Sequence, residues 1–376
     1  MTTTIKRWLF AVATIALSGG AISQNIDGRI SGFANNNNKA LVPKGGSPVL
    51  DLRPMEPGRA DKRLLEFRKE VDSEIRSRAD FNVAWLFWRD GVLIHEAYHP
   101  KVKPDNYFLG FSVTKSLIAM AYGHAFCEGK LAPGDLAVKY VPQLSDSAYA
   151  NRTIESLLLM KSGVPFDEYE SENAARVFRS VLSQSDTYDS IFLKMRERDF
   201  PAKASPNWNY DTNNTEMLGR VLHAVSGGLD GYLSQAVWSK IGAQADAWFV
   251  VDKEKRLLAG SGLYAQPRDF LRLGIHALGL VSGENASPCL RSYMGKAVSP
   301  LSVTTRQASF GYGYQFWSRN KWVSNNDGIF EMKGHLGQRV IVDPKTRAVA
   351  VALSVGDGEL DRFYSLFKRL RELPMQ

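Results

Sequence analysis

Two apolar patterns follow one another near the start of the folded part of the chain. In DKRLLEFRKEVDSEIRSRA, apolar residues recur at the three- and four-residue spacing of an amphipathic helix. The next stretch, FNVAWLFWRDGVLIHEAYH, contains two β-rich runs on either side of Asp90-Gly91. An Asp-Gly pair between two such runs predicts a β-hairpin.

The rest of the chain divides by its patterning into a helical middle and a C-terminal part rich in strands. Residues from about 112 to 300 show mostly helical spacing, interrupted by Gly and Pro. Aromatic and Val-rich runs then return, and the amphipathic segment ELDRFYSLFKRLREL follows them. This order predicts an α/β (α+β) fold: an antiparallel sheet built from both chain ends and flanked by helices, with a helical subdomain inserted. The 376 residues, 44% of them hydrophobic, are enough for such a domain.

The first 23 residues have the layout of a secretory signal peptide. Lys6 and Arg7 precede an apolar stretch from Trp8 to Leu17, and Ala21-Ile22-Ser23 is a small-residue cleavage site. A retained anchor is the alternative, but the apolar stretch is short for a span of about 20 residues. We therefore expect cleavage, no stable membrane insertion afterwards, and a periplasmic or secreted protein.

Three segments are predicted from this organisation. Residues 1–23 form the signal peptide, and residues 24–60, rich in Gly, Asn and Pro, form an extended segment. Residues 61–376 form the main domain, with the helical subdomain at about 116–300. The net charge of +8 contains no Lys/Arg run, so nucleic acid is not an expected partner.

The two cysteines, Cys127 and Cys289, are far apart in the chain. An oxidising compartment would permit a bridge between them, but the sequence does not show that they meet. We therefore favour two buried thiols, and a Cys-rich metal site is excluded.

The segment from His95 to His99 contains the pattern H-E-x-x-H, which on a helix binds zinc. In a helix the two imidazoles would lie about 5–6 Å apart. In a strand they would be about 13 Å apart, too far to share one ion. Because the segment follows the Asp-Gly turn and runs into Pro100, we predict a strand and no metal site.

The strongest chemical candidate is Ser112-Val-Thr-Lys115, an S-x-x-K pattern before a long apolar helix. If Ser112 begins that helix, Lys115 lies one turn further on the same face, within reach of the hydroxyl. A partly buried lysine can remove the serine proton because desolvation lowers its pKa. Two further copies of the pattern, at Ser318 and Ser365, lack a long apolar helix or downstream partners, and we attribute them to chance.

Further motifs accompany this pattern in a fixed order: EGKLAPGDLAVKYVPQL, TIESLLLMKSGVPFDE, YDTNNTEMLGRVLHAVSGG, AGSGLYAQPRDFLRLG and GHLGQRVIVDP. With FSVTKS they resemble the serine β-lactamase-like hydrolases over about residues 80–370. That family includes class C β-lactamases, DD-peptidases, esterases and 6-aminohexanoate-dimer hydrolases, and the chain is most similar to the last two. The resemblance implies a β-lactamase/DD-peptidase-like fold and a small-molecule ester or amide as substrate.

The resemblance also implies roles for individual residues, without any cofactor. Ser112 would be the acylated nucleophile, Lys115 its base, and Tyr210 a relay that moves the proton to the leaving group. The backbone N–H groups of Ser112 and Gln338 would form the oxyanion hole. Gly337 would let a substrate lie close to the strand.

Two departures from the lactamase pattern concern the substrate. His335 stands where lactamases and peptidases carry a lysine, which removes a permanent positive charge, and Thr212 replaces an asparagine of the second motif. Both argue against efficient β-lactam turnover. Tyr169 lies near a second tyrosine that the amide hydrolases of the family use on their substrate. A DD-peptidase or β-lactamase with the same nucleophile, and a non-catalytic binding or sensor protein of the same fold, are the alternatives.

Overall fold

A computed structural model of the protein describes residues 38–55, 61–77, 82–164, 166, 168, 177, 179–196, 207–284, 286–303, 311–318, 328–354 and 360–373. Its strands are β1 (Lys39–Val42), β2 (Asn82–Arg89), β3 (Val92–Tyr98), β4 (Phe108–Leu109), β5 (Ala247–Val250), β6 (Leu263–Ala265), β7 (Ser302–Val303), β8 (Gly311–Tyr312), β9 (Trp317–Ser318), β10 (Phe330–Lys333), β11 (Arg339–Asp343) and β12 (Ala348–Ser354). Its α-helices are α1 (Lys62–Ser77), α2 (Val113–Cys127), α3 (Ile154–Leu158), α4 (Tyr188–Lys194), α5 (Thr212–Ser226), α6 (Leu229–Leu233), α7 (Pro267–Ser282), α8 (Pro288–Ala297) and α9 (Asp361–Glu372). None of the helices in these ranges has the length and apolar character needed to cross a membrane.

The predicted hairpin is present as β2 and β3, which pair antiparallel from Arg89↔Val92 outward. Asp90 and Gly91 have φ values of 46° and 88°, the positive values that a two-residue type I′ turn requires. The H-E-x-x-H segment therefore begins in a strand, as predicted. His95 Nε2 lies 2.8 Å from Asp72 Oδ1 of α1, and Glu96 is paired with Arg268.

The main sheet confirms the prediction that both chain ends share one sheet. Among the described residues eight strands pair in the order β3-β2-β12-β11-β10-β9-β8-β7, with the β2–β12 contact joining the ends. Every residue of β12 is buried because helices cover both faces. Its alanines share one core with α1 and α9, whereas Val349, Val351 and Leu353 share the other core with α7. Such a strand is a continuous apolar run, as expected when both faces are covered.

A smaller sheet accompanies the helices in the middle of the chain. Within the described ranges its strand order is β1-β5-β6-β4. Strands β5 and β6 therefore lie inside the segment predicted as helical, and β1 lies inside the segment predicted as extended. These three strands were hard to foresee because each has only three or four residues. Residues 1–23, the predicted signal peptide, lie outside the described residues.

Cys127 at the end of α2 and Cys289 in α8 form a disulfide, with a Cα–Cα distance of 5.9 Å. The preference for two buried thiols was therefore wrong. The sequence could not show this contact because 162 residues separate the two cysteines, and only the packing of α8 against α2 brings them together.

Removing this disulfide should lower the free energy of unfolding. Closing a loop of 162 residues restricts the unfolded chain strongly, so the double variant Cys127→Ser/Cys289→Ser should lose about 2–5 kcal/mol. Urea unfolding of the oxidised wild type, the reduced wild type and the double variant measures this loss. Identical unfolding midpoints for the three samples would contradict the prediction.

Candidate active site

A strained turn holds Ser112 at the start of α2. Ser112 is the N-cap of this helix, and the preceding residue, Phe111, has a φ of 47°, which is uncommon for a residue with a side chain. Thr114 fixes the turn, since its hydroxyl donates to Phe111 O at 2.6 Å and accepts from Leu263 N of β6 at 3.1 Å. Leu263 O of β6 also accepts a hydrogen bond from Gly110 N, at 2.7 Å. Strained backbone of this kind is common where a fold has to fix a reactive side chain.

Lys115 lies one helical turn after Ser112 and is only 1% exposed. Its Nζ donates to Ser112 Oγ at 2.9 Å, to Thr212 Oγ1 at 2.9 Å and to Gly260 O at 2.7 Å. These three acceptors match the three protons of an ammonium group. Burial lowers the pKa of Lys115 from its ordinary value, and the carboxylates of Glu168, Glu216 and Asp211 act in the opposite direction. Once neutral, an amine at this distance from Ser112 Oγ can accept a proton from the serine hydroxyl.

Thr212, predicted as a substrate-binding residue, has a hydroxyl that is bonded on both sides within the protein. Its hydroxyl accepts from Lys115 and donates to Glu168 Oε1 at 2.9 Å. Glu168 Oε2 accepts the Thr212 backbone N–H at 2.6 Å, which completes a bidentate contact at the start of α5. Asp211 is the N-cap of this helix and accepts from Asn213 N at 2.9 Å.

Tyr210 lies beside Lys115, just before α5. Lys115 Nζ is 5.2 Å from the centre of its ring, within the range of a cation–π contact. Tyr210 belongs to an aromatic cluster, stacked against Trp317 at 5.7 Å and surrounded by Trp208 and Tyr312. The structure therefore brings Ser112, Lys115, Tyr210 and Thr212 together.

The turn after β10 carries the predicted residues of the third motif. The rings of His335 and Phe111 lie in a T-shaped contact with their centres 5.5 Å apart, which places His335 against the residue before Ser112. Gly337 has a φ of 85°, a conformation that glycine adopts without strain. Gln338 is buried, and its side chain donates to Ser354 O at 2.6 Å, so β12 holds this turn in place.

Close approach of two backbones brings this turn to Ser112. A Cβ built on Gly334 would lie 2.2 Å from Gly110 O, which is closer than atoms can approach. A side chain at Gly334 would therefore separate the third motif from the turn that holds Ser112.

Tyr169, predicted near the substrate, lies outside the described residues. Sequence reasoning assigned no role to Glu168, Glu216 or Gly260, although all three contribute to the surroundings of Lys115. All three lie inside the family motifs SGVPFDE, YDTNNTEMLG and AGSG. Their position in these motifs is the signal in the sequence that points to them as site residues. In the described part of the chain no group of three or more His, Cys, Asp or Glu side chains is arranged to hold a metal ion.

Comparisons with known proteins identify similar sequences and folds. A 6-aminohexanoate-dimer hydrolase of Paenarthrobacter ureafaciens is 27% identical over 302 residues, covering 75% of each protein. A Bacillus anthracis protein provisionally named a 6-aminohexanoate-dimer hydrolase has a similar structure, with a TM-score of 0.70, 21% identity, and coverage of 88% of this chain and 89% of that one. A class C β-lactamase superposes with a TM-score of 0.62 at 12% identity, over 85% of this chain and 99% of that one. At these identities the structural matches show the β-lactamase/DD-peptidase fold.

The family comparison covers most of the chain. The family model described as Beta-lactamase matches residues 71–373, which include the hairpin, the turn that holds Ser112, α5 and the turn after β10. The chain therefore belongs to the Beta-lactamase family.

Proposed function

We propose that this protein is a serine hydrolase that cleaves a small amide or ester through an acyl-enzyme on Ser112. The observation that carries the proposal is the distance of 2.9 Å between Ser112 Oγ and the buried Lys115 Nζ at a helix start. A nucleophile within hydrogen-bonding distance of a base that is itself oriented by further partners is the arrangement that covalent catalysis uses. The proteins named as a 6-aminohexanoate-dimer hydrolase, a hydrolase with promiscuous acyltransferase activity and a D-stereospecific amidohydrolase support an amide or ester as the substrate.

Acylation begins with Lys115 in its neutral form. Its Nζ takes the hydroxyl proton of Ser112 while Oγ forms a bond to the substrate carbonyl carbon, and the carbonyl electron pair moves to oxygen. The C–N or C–O bond to the leaving group then breaks as the carbonyl reforms. Tyr210, whose ring lies beside Lys115 Nζ, would pass the proton to the leaving amine or alcohol. Water releases the acyl group by the reverse path, which returns a proton to Ser112 and yields the free acid.

The oxyanion would be held by two backbone N–H groups. The N–H of Ser112 lies at the start of α2, where the helix dipole favours negative charge. The N–H of Gln338 has His335 O as its acceptor at 3.5 Å, the outer limit of a hydrogen bond, so it can turn to a developing oxyanion at little cost. Gly337 leaves room for the substrate beside this turn.

The site is a poor match for a β-lactam or a cell-wall peptide, the first alternative. His335 replaces the lysine whose fixed charge would hold a substrate carboxylate. Thr212 has no side-chain amide to offer the substrate. Its hydroxyl is already bonded to Lys115 and Glu168. We expect little or no covalent labelling by a fluorescent penicillin under conditions in which an ester is hydrolysed.

We also propose that the protein acts in the periplasm or is secreted. The Cys127–Cys289 disulfide supports this location because disulfides persist mainly in oxidising compartments. The N-terminal sequence MTTTIKRWLFAVATIALSGG supports it independently.

A substrate panel tests the proposal. The mature protein and its Ser112→Ala variant are assayed with p-nitrophenyl acetate, p-nitrophenyl butyrate, short linear amides and a fluorescent penicillin. Hydrolysis of an ester or amide that is lost in the variant supports the proposal, and penicillin labelling without ester hydrolysis favours the DD-peptidase or β-lactamase alternative. A correctly folded wild type that hydrolyses none of these substrates would favour the other alternative, a non-catalytic binding or sensor protein.

The pH dependence of ester hydrolysis should reflect the environment of Lys115. Burial lowers the pKa of this amine below its ordinary value of 10.5, and the neutral base accumulates as pH rises through that lowered pKa. We expect kcat/KM to rise with pH and then level off before pH 10.5. A profile of kcat/KM between pH 5 and 10.5, corrected for spontaneous hydrolysis, measures this rise. A tenfold increase per pH unit up to pH 10.5 without curvature would contradict the prediction.

A further inference from the structure

Glu216, one turn after Thr212 in α5, has a fully buried carboxylate that contacts the loop after β5. Its two oxygens accept the backbone N–H groups of Ala259 at 3.0 Å and Gly260 at 2.9 Å. We infer that Glu216 is a positioning residue for the proton transfer between Ser112 and Lys115, an inference that rests on the proposed function. It does not contact the serine, and its effect passes through the Gly260 carbonyl.

The Gly260 residue connects the carboxylate to the base. Its N–H is held by Glu216, and its carbonyl accepts from Lys115 Nζ at 2.7 Å. The loop lies very close to α5, because a Cβ on Gly260 would be 2.5 Å from Thr212 Cγ2 and one on Gly219 would be 2.4 Å from the Ala259 Cβ. Glu216 and the small residues therefore fix where the Gly260 carbonyl points.

The position of this carbonyl determines the direction of the lysine lone pair. A neutral lysine has two N–H bonds and one lone pair, whereas three partners surround Nζ. Thr212 has a single hydroxyl proton and donates it to Glu168, so it has to accept from Lys115. With the second N–H donated to Gly260 O, the lone pair is left facing Ser112 Oγ. If the Gly260 carbonyl moved, the second N–H could turn to Ser112 instead.

Charge at Glu216 also acts on Lys115 directly. The charged groups that act on Glu216 are Arg220 of its own helix and Lys115 of α2, and Tyr188 of α4 faces it as well. Burial raises the pKa of Glu216 to about 7, while Arg220 and the two amides favour the carboxylate. The negative charge in turn raises the pKa of Lys115. Neutralising residue 216 should therefore lower the lysine pKa.

The Glu216→Gln variant tests the inference. The side chain keeps its size but presents an NH2 group to one of the two backbone N–H donors, which displaces the loop. We expect fluorophosphonate labelling of Ser112 and kcat for p-nitrophenyl butyrate to fall about tenfold to a hundredfold, the range for a misplaced catalytic group. KM should change less than about threefold because Glu216 does not touch the substrate. The acid limb of the pH profile, the range in which kcat/KM rises with pH, should move to lower pH.

Asp269→Asn is the matched control. Asp269 is also fully buried and accepts two adjacent backbone N–H groups, Gln244 at 2.8 Å and Ala245 at 3.1 Å, but it is bonded to Arg272 instead of facing Lys115. This variant should lower the melting temperature and leave the labelling rate and the acid limb unchanged. If Glu216→Gln behaves in the same way as this control, Glu216 is only structural and the inference is wrong.

A second variant covers the case in which Glu216→Gln does not fold. Gly219→Ala keeps the carboxylate and favours the helix, but its methyl group pushes on Ala259. It should also slow the labelling of Ser112, and labelling at the wild-type rate would overturn the inference. A wild type that neither labels nor hydrolyses any ester or amide of the panel would overturn the proposed function and this inference together. An active wild type with unaffected variants would overturn the inference alone.

Discussion

Replacing Lys115 with methionine should reduce kcat/KM for ester hydrolysis by about a thousandfold or more. Methionine fills a similar volume but cannot accept the proton of Ser112, which then remains a weak nucleophile. Because the amine also bonds to Thr212 and Gly260, its loss should reduce the melting temperature as well. Steady-state kinetics on protein with a native circular dichroism spectrum, together with the rate of fluorophosphonate labelling, measure the effect.

Ser116→Ala is the control for Lys115→Met. Ser116 is the next residue of α2, equally buried, and its hydroxyl donates to Gln315 O at 2.7 Å instead of contacting the nucleophile. We expect a loss of stability of about 1 kcal/mol and less than a threefold change in kcat/KM. If Lys115→Met retained activity within tenfold of the wild type, Lys115 would not be the base, and the account of acylation would fail.

Gly334→Ala should have the second largest effect, although it adds a single methyl group. The added Cβ would lie 2.2 Å from Gly110 O, so the turn after β10 and the turn that holds Ser112 have to separate. The φ of Gly334 is −120°, which any residue adopts, and the effect therefore comes from the contact alone. We expect kcat to fall about a hundredfold, because Gln338 N–H moves away from the oxyanion, and stability to fall by about 1–3 kcal/mol.

Gly279→Ala is the matched substitution. Gly279 lies in α7, and a Cβ there meets no atom within 4 Å. Alanine should raise stability slightly, by about 0.5–1 kcal/mol, through its higher helix propensity, with activity unchanged. Equal activity of the Gly334→Ala and Gly279→Ala variants would show that the approach of the two turns does not position the catalytic groups.

Local sequence was enough to predict several features of the fold and of the candidate site. The hairpin follows from Asp90-Gly91, since a two-residue turn and its flanking strands occupy one short stretch. The contact of Ser112 with Lys115 follows from the pitch of one helical turn. The sheet formed from both chain ends follows from the order of the patterns, because β-rich runs lie on either side of a long helical segment.

Contacts between distant parts of the chain could not be predicted in the same way. Lys115 reaches Gly260 across 145 residues, and Cys127 meets Cys289 across 162 residues. Only the packing of the helices decides such pairs. The partners of the Thr212 side chain were equally hard to predict. Its position in the motif suggests a substrate contact, and in the structure its hydroxyl is bonded to Lys115 and Glu168. Hydroxyl groups bond to whichever partners packing supplies.

The most direct test of the central claim is to locate the covalent adduct. The mature protein is treated with a fluorophosphonate, its intact mass is measured, and peptide mapping identifies the modified residue. We predict one adduct per chain, on Ser112, and none on the Ser112→Ala variant. No adduct on correctly folded wild-type protein, or an adduct on another residue that persists in Ser112→Ala, would contradict the assignment of Ser112 as the nucleophile.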